Sequence, residues 1–190
     1  INKFSLIYLL VWNIYLMNIL DRKYFFFITL VIIYLACATI SNATSHGEPE
    51  VQSRFGDWRV LKYVDDSKEH CYIASSPIKQ APTDKEWNPN FFIKKIDGGS
   101  HNEPSLYAGY NFKKDTPVTI KILNSTFSMS AQEKHAWLIT KDEENKLVEA
   151  MKKGYQMIIK GTSEFETSTT DHYSLKGVTR SLQELNDICL

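Results

Sequence analysis

"KGTSEFETSTTDHYSLKG", residues 160–177, packs seven Ser/Thr, one Tyr, one Asp and one His between two Lys-Gly pairs. Such a run is either an active-site loop or two strands and the turn between them. Successive side chains along a strand point to opposite faces. Thr169, Asp171, Tyr173 and Leu175 then share one face, and Thr170, His172 and Ser174 share the other. Asp171 and His172 are neighbours that point apart, so they cannot make the carboxylate–imidazole contact of a catalytic triad. His172 and Ser174 do share a face, about 6–7 Å apart at the backbone, but nothing in the sequence orients the pair. With Gly161 and Gly177 as turn residues, the stretch reads as a Thr-rich strand on a hairpin, and the fold follows from that reading.

The same pattern continues outward. In "FGDWRVLKYV", Trp58, Val60 and Lys62 alternate with Arg59, Leu61 and Tyr63. Further segments rich in Val, Ile, Thr, Phe and Tyr and bounded by turn residues lie at 71–75, 91–96, 105–110, 118–123, 126–130, 136–140, 155–160 and 167–175. "LNST" (123–126) has the length of a two-residue hairpin turn, and "DGGS" (97–100) is a second turn. "KQAPTDKEWNPN" (79–90) is the longest loop. Many short strands joined this way predict a mainly β chain, an antiparallel sandwich of immunoglobulin-like size or a partly open barrel.

Two helices interrupt the strands. "DEENKLVEAMKKG" places Asp142 as N-cap, acids in the first turn, Lys152-Lys153 at the end and Gly154 as stop. Leu147, Ala150 and Met151 form its apolar face. The second helix runs from about Val178 to Cys189, with Val178, Leu182, Leu185 and Cys189 on one stripe. Docked on the sheet, that stripe carries Cys189 toward Cys71. Of the three cysteines, Cys71 and Cys189 lie beyond residue 43, and an even count in an exported chain reads as disulfide-bonded; the alternative is two free buried thiols.

The N-terminus is different in kind. "YFFFITLVIIYLACA" (24–38) is apolar, follows Arg22-Lys23 and is followed by Ser41-Asn42-Ala43. This is the layout of a secretory signal peptide, with cleavage expected after Ala43. Met17 begins a complete signal on its own, so residues 1–16 read as an over-extended start and 17–43 as the signal. The rivals are two membrane-crossing helices, 4–20 and 24–40, each near the minimum length for spanning, or a lipid on Cys37. Residues 44–53 read as a disordered polar arm, and 54–190 as a single domain. From residue 44 onward there are 19 Lys/Arg against 21 Asp/Glu, a net charge of −2. That gives no electrostatic drive toward nucleic acid. Membrane association is expected only through an uncleaved N-terminal segment.

Chemistry-bearing motifs are sparse. His46, His70, His101, His135 and His172 show no helical metal-ligand spacing, and no phosphate-binding glycine loop or nucleophile elbow occurs. Each histidine reads as a lone polar side chain. Glu143 and Glu144 open a helix, where acidic residues are favourable in any case. Trp87, Tyr107 and Tyr110 can stack on sugars or proteins, though core packing is the ordinary fate of such residues. The residues call for no catalytic group, no cofactor and no metal.

"FGDWRV" (55–60), "CYIASSP" (71–77), "NEPSLYAGYNFK" (102–113), "HAWLITKDEENKLVEAMKKG" (135–154) and "MIIKGTSEFETSTTDHYSLKG" (157–177), with Cys189, together resemble the invasion-associated locus B family. The resemblance covers almost all of residues 54–189. It implies a secreted, periplasmic or outer-membrane-associated β-rich domain, linked in some pathogens to host-cell invasion. Cys71 and Cys189 match family cysteines. Some relatives have another cysteine shortly after the Trp, near Lys62 here, and Pro104 stands where the family usually has a β-branched residue. The family supplies no catalytic residues. The expectation is therefore a non-enzymatic extracytoplasmic protein that binds an unidentified envelope or host-cell protein or glycan through surface strands and the 79–90 loop. The alternatives are a periplasmic stress or assembly factor and a cell-wall hydrolase.

Overall fold

The computed structural model describes residues 47–65, 68–96 and 98–189. The expected signal peptide, its cleavage site and the over-extended start lie outside these residues. No helix among the described residues is long and apolar enough to cross a membrane.

The described strands are β1 (Glu50–Phe55), β2 (Trp58–Asp65), β3 (Lys68–Ser75), β4 (Lys79–Ala81), β5 (Asn90–Ile96), β6 (His101–Tyr107), β7 (Val118–Ile122), β8 (Ser125–Gln132), β9 (His135–Trp137), β10 (Gln156–Thr162) and β11 (Ser168–Ser174). The helices are α1 (Lys141–Lys153) and α2 (Val178–Ile188). The strands form one antiparallel sheet in the order β1-β2-β3-β5-β6-β9-β8-β7-β10-β11-β4. It is a mainly β fold with two helices, as expected, and its two halves belong to one open sheet.

Those halves face each other across the core. Trp58, Ile73, Phe91, Ile93 and Leu106 from one half meet Ile120, Met129, Met157, Ile159 and Tyr173 from the other in one buried cluster. The Trp58 indole donates to the Ser174 carbonyl at 3.0 Å, and the Phe91 and Tyr173 rings meet edge-on at 6.1 Å. The Asp57 N–H donates to the Lys176 carbonyl, joining the β1–β2 turn to the loop before α2. Gly56 and Gly177 permit this approach. Both have positive φ, and a Cβ on Gly177 would lie 1.9 Å from the Phe55 carbonyl oxygen. Only glycine fits a backbone contact that close.

Two strands were hidden in expected irregular segments. The arm expected over 44–53 is strand from Glu50 onward: β1 pairs with β2 from Glu50↔Lys62 to Phe55↔Trp58. Its side chains are mostly exposed, so no apolar alternation betrays it; backbone pairing holds it. Lys79–Ala81, expected as loop, pairs with β11 as β4. The β7–β8 turn also moves by one residue. Ile122 pairs with Ser125, and Leu123, at φ 51°, takes the left-handed position.

At α1 the cap is Thr140, not Asp142. The Thr140 hydroxyl accepts from the Glu143 N–H and donates to the Glu143 carboxylate, as an N-cap side chain does for the first turn. The buried face is Glu144, Leu147, Val148 and Met151, turned by one residue from the expected Leu147, Ala150 and Met151. Helix α2 buries Val178, Leu182 and Leu185 as expected. The Cys71–Cys189 disulfide, with Cα atoms 6.2 Å apart, fastens its end to β3.

Candidate functional site

The hydroxyl-rich strand β11 is bonded on both sides, by β10 and β4. Thr169, Asp171 and Tyr173 are buried, whereas Thr170, His172 and Ser174 are half-buried on the outer face. The structure therefore separates Asp171 from His172, as the alternation requires. No group of three or more potential metal ligands occurs among the described residues.

What the inner face of β11 does instead is anchor the 79–90 loop. Trp87, inside that loop, is buried, and its indole N–H donates to Asp171 Oδ1 at 3.2 Å. Gln80 Nε2 donates to the Trp87 carbonyl at 3.3 Å. Trp87 packs edge-on against Tyr110, whose hydroxyl bonds Thr169. Burial raises the Asp171 carboxyl to about 6, an increase that the Trp87 and Gln80 hydrogen bonds partly offset. Burial likewise pushes Tyr110 up to about 12. The Tyr173 hydroxyl is buried beside these groups without a hydrogen-bond partner, and burial raises its pKa too. This cluster is a structural lock.

A second buried polar contact joins α1 to β6. His101 Nε2 lies 2.6 Å from Glu144 Oε2, with both residues buried. His101 is thus not the lone polar side chain expected, and Glu144 is more than a first-turn acid. The available signal was the spacing of Glu144 with Leu147, Val148 and Met151, which places it on the buried stripe.

Aromatic side chains gather on the outer face of β2, β3, β5, β6 and β9. Tyr63 stacks on His70 at 4.8 Å and meets Tyr72 edge-on at 6.1 Å; Tyr72 in turn meets Phe92 at 5.8 Å. Phe92 is opposite Ser105, and Ser105 is opposite Trp137, which is 38% exposed. Tyr107 and His135 pair beside it at 5.3 Å. Period-two alternation sends these residues outward while Ile73, Phe91, Ile93, Leu106 and Ala136 turn inward. The result is a row of partly exposed rings. Arg59 and Lys94 lie among them on the same face. Of the aromatics singled out in the sequence, Tyr107 belongs to this face, whereas Trp87 and Tyr110 pack inward against each other.

No protein-family model matches the chain, and no curated protein matches it. Among solved structures it is similar to the crystal structure of invasion associated protein B from Bartonella henselae, with a TM-score of 0.55 and 14% identity. The match covers 74% of this chain and 96% of that one. At that identity the likeness shows a shared fold.

Proposed function

We propose that the protein is an exported, non-enzymatic binding module that holds an envelope or host-cell partner against the outer ring-bearing face of its sheet. The observation that carries this is the run of partly exposed rings from Tyr63 through Phe92 to Trp137. Isolated apolar residues are ordinary on a surface, but a contiguous patch marks an interaction site. Aromatic rings beside Arg59 and Lys94 suit a protein or glycan surface. The sequence motifs and the shared fold support a place in the invasion-associated locus B family and, through it, a contribution to host-cell invasion. The disulfide suits an oxidising compartment, which supports the periplasm or the cell surface.

A photo-crosslinking residue placed at Trp137 or Phe92 in intact cells is expected to capture a discrete partner. The same residue at Phe165, 83% exposed in the β10–β11 turn, should not. Equal capture at all three positions, or none at any, contradicts the proposal. Turnover of cell-wall material by pure protein, abolished by His172→Ala, would favour the hydrolase instead. Envelope defects in a deletion strain grown without host cells would favour the stress or assembly factor.

A further inference from the structure

The sheet is not continuously paired along its length. β8 bonds β7 over Ser125–Met129, but on its other side it bonds β9 only at Ser130, Ala131 and Gln132. β9 bonds β6 only at Ser105, Leu106 and Tyr107. The sheet therefore splits, and one side of both β6 (101–104) and β8 (125–129) has no strand partner among the described residues. Helix α1 occupies the split and is fastened to the β6 side by the buried His101–Glu144 contact. On the β8 side a groove of about 640 Å³ remains, lined by Ser125, Thr126, Phe127, Asn145, Lys146 and Ala150 among others. A second hollow of about 480 Å³ adjoins Ser128 to Ala131 and is lined by Ile139, which is 75% exposed.

Unpaired strand edges are ordinarily blunted by bulges, prolines, charges or shortness. The other edges here are. β1 carries a register shift between Val51 and Ser53. β4 is three residues long, starts with Lys79 and is followed by Pro82. The free part of β6 holds Pro104 and is covered by α1. The free part of β8 reads Ser-Thr-Phe-Ser-Met, with no charge, proline or bulge. Its backbone groups on that side face water or a partner.

We propose that this edge binds an extended peptide by strand addition, and that the peptide carries alternating apolar side chains and an acidic end. Strand addition draws affinity from main-chain hydrogen bonds and specificity from pockets for alternate side chains. Half-exposed Phe127, with Ala150, and exposed Ile139 offer two apolar contacts along the edge. The acidic end follows from charge. Lys146 is already paired with Asp142, and Glu149 with Lys152. Lys153, on the groove wall, and Lys121, opposite Thr126, have no ion-pair partner among the described residues. The unneutralised charge at that end of the groove is positive. This site is separate from the ring-bearing face, so either can fail without the other.

The probe is a fluorescein-labelled hexapeptide of alternating valine and threonine ending in two glutamates, with a two-lysine version as control. The acidic peptide should raise anisotropy on titration and, in 15N spectra, shift and protect the Thr126 and Ser128 amides. Ser128→Pro removes an edge donor and should weaken binding about tenfold or more. Lys153→Glu, on the exposed helix surface, should weaken the acidic peptide up to about fivefold and favour the lysine version. That variant keeps the test decisive should Ser128→Pro disturb β8. Absence of binding, shifts confined to other strands, or indifference to Lys153→Glu overturns the proposal. So does a dimer in sedimentation equilibrium that itself protects these amides, because the occupant would then be a second copy.

Discussion

At the scale of single residues, β11 shows how alternation converts a polar run into structure. The facing of Asp171 and His172 follows from period two alone, and the burial of Asp171 and Tyr173 agrees with it. What alternation cannot supply is the partner. Trp87 is 84 positions from Asp171, and only the path of the 79–90 loop brings the two together. The lock has a pH signature. Asp171 titrates at about 6 when folded, against an ordinary value of about 4. Below about pH 4 both folded and unfolded chains keep the proton. Between about 4 and 6 the folded chain keeps a proton that the unfolded chain has lost, so stability falls as pH rises, and the full cost is present above 6. Asp171→Asn should remove that loss, a relative gain at pH 7 of at most about 3 kcal/mol. Urea denaturation of both proteins at pH 4 and 7 checks it; an identical pH dependence in the two would rule it out.

At the scale of elements, all nine strands expected from β-branched and aromatic content are present, with ends shifted by a few residues. The two that were not expected, β1 and β4, are edge strands whose side chains are mostly exposed. Edge strands are held by one neighbour's backbone, so their sequences carry little apolar pattern. The strand expected over 105–110 begins earlier: β6 runs from His101 through Pro104 to Tyr107. Pro104 lies where β6 has no second strand partner among the described residues, and a missing N–H is tolerated there. The capping of α1 was legible as Thr140-x-x-Glu143 but was obscured by the acidic run that follows. The tie between α1 and β6 makes a prediction of its own. Glu144→Ala leaves His101 buried without its partner and should cost about 1–3 kcal/mol. Thermal unfolding reads this directly: an unchanged midpoint would show that the contact contributes nothing.

For the molecule as a whole, one sheet rolled onto its own core and a terminal helix clasped by sulfur define the architecture. The clasp was legible because the stripe Val178, Leu182, Leu185 and Cys189 continues one apolar face to the last helical turn. The ring-bearing outer face was not legible as a surface, since Tyr72, Phe92 and Trp137 come from strands whose order along the sheet no local pattern reveals. Closing a loop of 118 positions restricts the unfolded chain, so Cys71→Ser with Cys189→Ser should cost about 2–5 kcal/mol, measured by denaturant midpoint. The measurement that bears most directly on an exported scaffold held shut by this bond is intact mass after alkylation of protein recovered from the envelope. The account predicts a chain beginning at residue 44 with no alkylated thiol unless it is first reduced. A chain that retains residues 1–43, or takes up two alkyl groups while folded, would contradict it.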